Sequence, residues 1–249
     1  MPSPIIGYDN VFNQGNLSAT SEAAGFAKEN AVDWLTYDFW KPTAAGTVYL
    51  TVNAGYGNDV DYLGIAAHDL GTNGATAQLE YWTGSAWAAA SGVITPTTDN
   101  VIFTTFTSRN SDQFRLKIVS ATAASKVGIV SAGQRLALER NVRVGWVPPL
   151  ISGYDIAAHF SEENNLLGRS LITRMGSATV DLTGLTESWL RSNWIGLLNH
   201  AKSKPFFMQW DSTGHTSEVA LYFVKSRLEL PSYSGNKHMT TSLDCSYLL

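Results

Sequence analysis

Val48-Tyr-Leu-Thr-Val52 and Phe114-Arg-Leu-Lys-Ile118 are the stretches on which the fold turns. In the first, Val48, Leu50 and Val52 alternate with Tyr49 and Thr51; in the second, Phe114, Leu116 and Ile118 alternate with Arg115 and Lys117. A period of two sends one set of side chains into a core and the other into solvent, the mark of a half-buried strand. Gly, Asn, Asp, Ser and Thr clusters separate such runs, among them Gly55-Tyr-Gly-Asn-Asp59 and Gly71-Thr-Asn-Gly74. Strands cut by turns in this way predict a mainly β chain made of antiparallel, sandwich-like domains.

One segment follows a different period. From Thr186 to Lys202 the apolar residues Leu190, Trp194, Leu197, Leu198 and Ala201 fall on one helical face. Thr186 suits the N-cap, and Glu187 sits where the helix dipole favours negative charge. His200 and Lys202 occupy the opposite end, and Pro205 forbids continuation. The reading is one amphipathic helix packed on a sheet. Pro148-Pro149 marks a boundary, because a Pro pair cannot sit inside a central strand and the residues on either side, Gly133 to Trp146 and Ile151 onward, read as strands. Residues 1–145 are therefore expected to form a β-sandwich and residues 146–249 a sheet-plus-helix assembly domain. The first ten residues could equally belong to the second part, with the first inserted into it.

Of the 249 residues 44% are hydrophobic and 15% charged, so a packed core is expected rather than disorder. With 17 Lys+Arg against 21 Asp+Glu there is no basic excess to neutralise phosphates, which argues against a nucleic-acid partner. Cys245 is the single cysteine, which rules out an internal disulfide. The opening Met-Pro-Ser-Pro-Ile-Ile-Gly-Tyr-Asp has no positive region or long apolar run, so no signal peptide is expected. No stretch approaches the roughly 18 apolar residues of a membrane span, and no membrane insertion is expected.

Catalytic templates fail: there is no G-x-S-x-G elbow, no H-E-x-x-H, no paired C-x-x-C and no phosphate-binding glycine loop. No catalytic residue, metal site or cofactor is assigned, and the expectation is a protein that is not an enzyme. Histidines 68, 159, 200, 215 and 238 lie in separate segments; a hydrolytic reading would need one of them to meet a buried carboxylate. Asn58, Asp59 and Asp61 offer oxygen ligands but lack the remainder of a calcium loop, so they read as a polar turn before a strand from Tyr62 to Ala67.

The segment Asp33-Trp-Leu-Thr-Tyr-Asp-Phe-Trp-Lys-Pro42 crowds aromatic residues without alternating. Trp34, Tyr37 and Trp40 are candidate ligand-binding residues, since exposed rings stack on sugar faces or anchor protein partners. The competing reading is that at least two of them plug the bottom of the sandwich. A second aromatic set, Phe206, Phe207, Met208 and Trp210, precedes Val219-Ala-Leu-Tyr-Phe-Val224. That strand is apolar on both faces, so the helix or a neighbouring subunit must cover each. Val219, Leu221 and Phe223 are accordingly the candidate assembly interface.

Ala31-Val-Asp-Trp-Leu-Thr-Tyr-Asp-Phe-Trp-Lys-Pro42 resembles the opening of discoidin-like, or galactose-binding-like, β-sandwich domains. Val60-Asp-Tyr-Leu-Gly-Ile-Ala-Ala-His-Asp-Leu-Gly71 and Gly74-Ala-Thr-Ala-Gln-Leu-Glu-Tyr81 resemble the same domain in tail proteins of long-tailed bacteriophages, over about residues 20 to 132. In the second part, Gly168-Arg-Ser-Leu-Ile, a helix bearing Trp189 and Trp194, and Pro205-Phe-Phe-Met-Gln-Trp210 are similar in order and spacing to distal-tail or baseplate proteins. What the resemblance implies is a structural virion component, assembled in the host cytoplasm. It would form a closed homo-oligomeric ring, sixfold by analogy, joining the tail tube to the tip, with tube, hub and fibre proteins as partners and the sandwich displayed outward. The alternative is a carbohydrate-binding module that adheres to host-surface glycans. The family's sugar-contacting loop residues have no counterpart that aligns here, so the resemblance carries over the sandwich fold and not an affinity.

Overall fold

The structure is a computed structural model describing residues 3–225 and 227–249. Among the described residues it is mainly β, with two large sheets in a sandwich-like arrangement, a separate two-stranded sheet and one long helix of 15 residues. In chain order the strands are β1 (Ile5–Gly7), β2 (Asn16–Ala19), β3 (Gly46–His68), β4 (Thr76–Trp82), β5 (Trp87–Ala89), β6 (Ile102–Ser120), β7 (Val127–Gly133) and β8 (Leu136–Ala137). They continue with β9 (Gly153–Phe160), β10 (Leu166–Arg174), β11 (Gly176–Thr186), β12 (Phe206–Gln209), β13 (Val219–Val224), β14 (Ser232–Gly235) and β15 (His238–Leu248). Helix α1 spans residues 187–201.

The two alternating runs of the sequence pair with each other. Val48 lies opposite Ile118, Leu50 opposite Leu116 and Val52 opposite Phe114. Strands β3 and β6 make one long ribbon whose register shifts between Asn53 and Asn58 and again between Val60 and Tyr62. The first half of β3 takes β2 on its other side, and its second half takes β7. Between them lies a core that includes Leu50, Val52, Leu63, Ile65, Leu116 and Val130. The Gly55–Asp59 segment, expected as a turn that ends a strand, is therefore an irregularity within β3. Bulged residues bend a strand without ending it. Asp59 and Asp61 are engaged there: Asp59 accepts from the Asn110 amide at 2.9 Å, and Asp61 accepts the Arg135 N–H at 2.7 Å.

The second sheet has the order β11-β15-β13-β12-β1-β8, with β14 beside β15. Its strand β1 comes from the N-terminus, with Ile5 opposite Gln209 and Ile6 opposite Met208. Strand β8 then closes that edge against β1. Thus β2 to β7 lie in sequence between two neighbouring strands of this sheet. The segment after Ala137 does not continue as strand, and Pro148-Pro149 lies in the connection from β8 to β9.

Thr186 caps the helix as its residue type predicts, its hydroxyl accepting the Trp189 N–H. A π turn at Leu190–Trp194 leads into the α-helical Ile195–Ala201. Leu190, Trp194, Leu197, Leu198 and Ala201 pack on Phe206, Met208, Ala220 and Tyr222. The opposite face of the same sheet presents Ile5, Phe207, Val219 and Leu221 to Tyr62, Ala66, Phe103 and Ile129 of the sandwich. The two-faced strand β13 is thus covered on both sides from within the chain. Val219 is 7% exposed and Leu221 fully buried, with Phe223 packed at the margin of the cluster. This corrects the expected assembly interface: the second cover is the sandwich, not a neighbouring subunit.

Candidate functional site: a projecting hairpin

The aromatic segment divides in the structure. Trp40 is fully buried in the sandwich core, and its indole N–H donates to the Ser21 carbonyl at 3.1 Å. Trp34 is 4% exposed and belongs to the seam between the two sheets. Its ring meets His200 edge-on at 5.0 Å and Phe207 at 6.2 Å. This packing holds Trp34 at a φ of +68°, a left-handed conformation rare for a bulky residue. Tyr37 alone of the three predicted ligand residues is open to solvent, at 69%. A three-ring platform of Trp34, Tyr37 and Trp40 is therefore not formed. Two residues after Tyr37, the Phe39 ring has the Lys126 ammonium 4.2 Å above it.

The histidines are engaged separately. His68 is buried, with Nε2 2.9 Å from the Asn100 carbonyl oxygen and Nδ1 accepting the Leu70 N–H at 3.2 Å. Burial pushes its pKa below the ordinary histidine value. His200 contacts the Pro205 carbonyl at 2.7 Å and is likewise lowered by burial. His215 lies 3.3 Å from Glu218, three residues on, with the histidine exposed and the carboxylate partly buried rather than both in a buried acid–base pair. Burial pushes the Cys245 thiol up to about 12, which keeps it protonated.

Strands β9 and β10 form a sheet of two strands, joined to neither of the others by strand pairing. Ile156 lies opposite Leu171 and Phe160 opposite Leu166, while Ala157 lies opposite Ser170. Alternation therefore gives the hairpin one face with Tyr154, Ile156, Ala158, Phe160, Leu166, Leu171 and the charged Arg169. The other carries Ile172, Ala157, Ser170 and His159, whose ring is 3.2 Å from the Ser170 hydroxyl. Large apolar side chains thus lie on both faces, and they are in solvent. Exposure runs from 46% at Tyr154 to 64% at Ile156. Fully burying one such side chain is worth about 1.5–3 kcal/mol, and an isolated two-stranded hairpin is marginal in water.

The sequence held a signal for this arm in its alternating Tyr154, Ile156 and Phe160. What it lacked was any sign that no layer among the described residues covers them. Among the described residues no group of three or more His, Cys, Asp or Glu side chains is arranged to hold a metal ion.

No family model and no curated protein matches the chain. Solved structures resemble it over about half its length. Chitosan-binding module 1 from a chitosanase/glucanase of Paenibacillus sp. IK-5 is 21% identical, with a TM-score of 0.39, covering 50% of this chain and 98% of that one. The module CpGH89CBM32-5 of Clostridium perfringens, solved with GalNAc-beta-1,3-galactose, is 12% identical, with a TM-score of 0.43 and the same two coverages. A pectin-binding carbohydrate-binding module is 15% identical, with a TM-score of 0.40, covering 48% of this chain and 89% of that one. These neighbours are carbohydrate-binding modules.

Proposed function

We propose that the chain is a non-enzymatic structural component of a phage tail tip or baseplate. Its sheet-and-helix part joins copies into a ring between tail tube and tip, and its sandwich is displayed outward. The carrying observation is the β9–β10 arm, whose exposed apolar side chains have no cover among the described residues and so mark a surface for a partner. The burial of Val219 and Leu221 strengthens the choice of the arm, because it removes β13 as the contact between copies. The test is to purify tail particles, detect the chain by mass spectrometry and locate it with antibody–gold at the tail end. Its absence from purified particles, or a position along the whole tube, refutes the reading.

A second reading makes the sandwich a glycan-binding module for host-surface adhesion, the ligand class named for the solved modules above. What favours it in this chain is Tyr37, an exposed ring on a loop two residues before Phe39. A glycan array probed with the wild type and with Tyr37→Ala tests it. Binding that the substitution abolishes supports the reading, and an array blank for the wild type removes it.

A further inference from the structure

Trp34 lines two hollows at the seam between the sandwich and the second sheet. The first has a volume of about 270 Å³ and is built from three separate segments. Trp34 and Leu35 come from a loop of the sandwich, Lys202 to Lys204 from the turn after α1, and Phe223 and Val224 from the end of β13. Its walls are apolar. The Trp34 ring is buried against His200 and Phe207, Leu35 is 40% exposed, and Phe223 and Val224 are half-buried. The turn at Leu35 is closed by Asp33, whose carboxylate accepts the Leu35 N–H at 2.8 Å and does not line the hollow.

The charge around this hollow has one sign. Lys202 and Lys204 line it, and no Asp or Glu does so among the described residues. The Lys202 ammonium donates to the Asn199 side-chain oxygen at 2.7 Å, a neutral partner that leaves the charge in place. The Lys204 ammonium has no ion pair among the described residues. It also lines the second hollow, of about 230 Å³, where the Asp9 carboxylate is engaged by the Gln14 amide at 3.1 Å. The indole N–H of Trp34 is buried without a hydrogen-bond partner, whereas a buried donor is ordinarily paired. Trp34 also keeps its left-handed backbone here, and strain of that kind gathers at ligand clamps.

We propose that the first hollow binds a small amphipathic carboxylate, with its apolar body against Trp34, Leu35 and Phe223 and its charged end on Lys204 and Lys202. Apolar walls with two like charges select an anion attached to an apolar body. A neutral sugar ring would leave both charges unanswered and would find no carboxylate to receive its hydroxyls. Tyr37 does not line the hollow, so this binding is separate from glycan adhesion, and it needs no second copy of the chain. The ligand would touch the sandwich and the second sheet together, and so would fasten the seam.

The test titrates the full chain with phenylacetate by calorimetry. The expected result is saturable binding that also raises the unfolding midpoint, because a ligand that binds only the folded chain stabilises it. The uncharged phenylacetamide should bind at least about tenfold more weakly, the loss expected when a charged hydrogen-bonding group is removed. Lys204→Gln, at an exposed position, should weaken phenylacetate about fivefold. Leu35→Trp fills the hollow from its partly exposed position and should abolish binding while leaving the midpoint of the free chain unchanged. Equal affinity for acid and amide overturns the proposal. Displacement of phenylacetate by inorganic phosphate at equal concentration overturns it too, by making the lysines a general anion patch. A titration with no saturable heat and no shift of the midpoint also overturns it.

Discussion

The ring of Phe207, on β12, lies so close to the backbone of Gly64, on β3, that a methyl group at Gly64 would come within 2.8 Å of it. The approach joins the sandwich to the second sheet, and it is repeated at Gly7, where a methyl group would stand 2.6 Å from the Tyr62 and Phe103 rings. In both places the missing side chain lets an aromatic ring rest on a strand.

Gly64→Ala should therefore destabilise the chain by about 1–3 kcal/mol, the usual cost of overpacking a filled interior. Urea denaturation monitored by tryptophan fluorescence measures it. Combining Gly64→Ala with Phe207→Leu should recover part of the loss, because the clash is with that ring. Strictly additive losses would show that the contact does not limit packing at the seam.

Trp40 and Tyr37 should separate fold from binding. Trp40→Ala removes a fully buried side chain and should cost about 3–5 kcal/mol. Tyr37→Ala, at a position 69% exposed, should shift the unfolding midpoint by less than about 0.5 kcal/mol equivalent. Equal stability losses in the two variants would contradict the placement of one ring in the core and the other in solvent.

The buried ring of His68 predicts a pH dependence. Its Nδ1 accepts from Leu70 N–H, so Nε2 carries the proton toward the Asn100 carbonyl and the neutral ring is satisfied on both sides. Burial lowers its pKa, partly opposed by the Asn100 carbonyl and by Asp99 and Asp69. The unfolded chain then binds the proton first, and stability should fall as pH drops below about 6.5, until the lower folded pKa is passed. His200 shifts in the same direction and adds to the slope. Unfolding midpoints at pH 7.5 and 5.5 should differ less in His68→Gln than in the wild type. An unchanged difference would mean that His68 is accessible to protons in the folded state.

Removal of the sandwich should have a specific cost. Asp9 and Gly133 are in backbone contact, so a short Gly/Ser linker can close the chain there. The deletion uncovers Ile5, Phe207, Val219 and Leu221 together. The shortened chain should aggregate as made, and Val219→Thr with Leu221→Thr should improve its solubility. If the rescued chain still assembles while attachment is impaired, the sandwich serves display. A soluble, folded remainder that fails to assemble would make the sandwich an element of the ring.

Local chemistry alone determined the faces of the two core strands and the helix. The period of two at Val48–Val52 and Phe114–Ile118 sets which side chains share a face, whatever lies across the core. Thr186, Leu190, Trp194 and Leu197 define the helix, because its cap and apolar stripe depend on neighbours within a few residues. The two-faced pattern of Val219–Val224 likewise required two covers. Tertiary structure alone decided what those covers are. Pairing of Ile5–Gly7 with β12 joins residues some two hundred positions apart, and no local pattern encodes such a contact. Trp34, Tyr37 and Trp40 share a chemistry suited equally to a core and to a binding surface, so only packing could bury two and expose the third. The arm shows the same limit from the other side. Tyr154, Ile156 and Phe160 have the alternation of a core-facing strand, but burial is a property of what the rest of the chain places opposite, and among the described residues nothing is placed there.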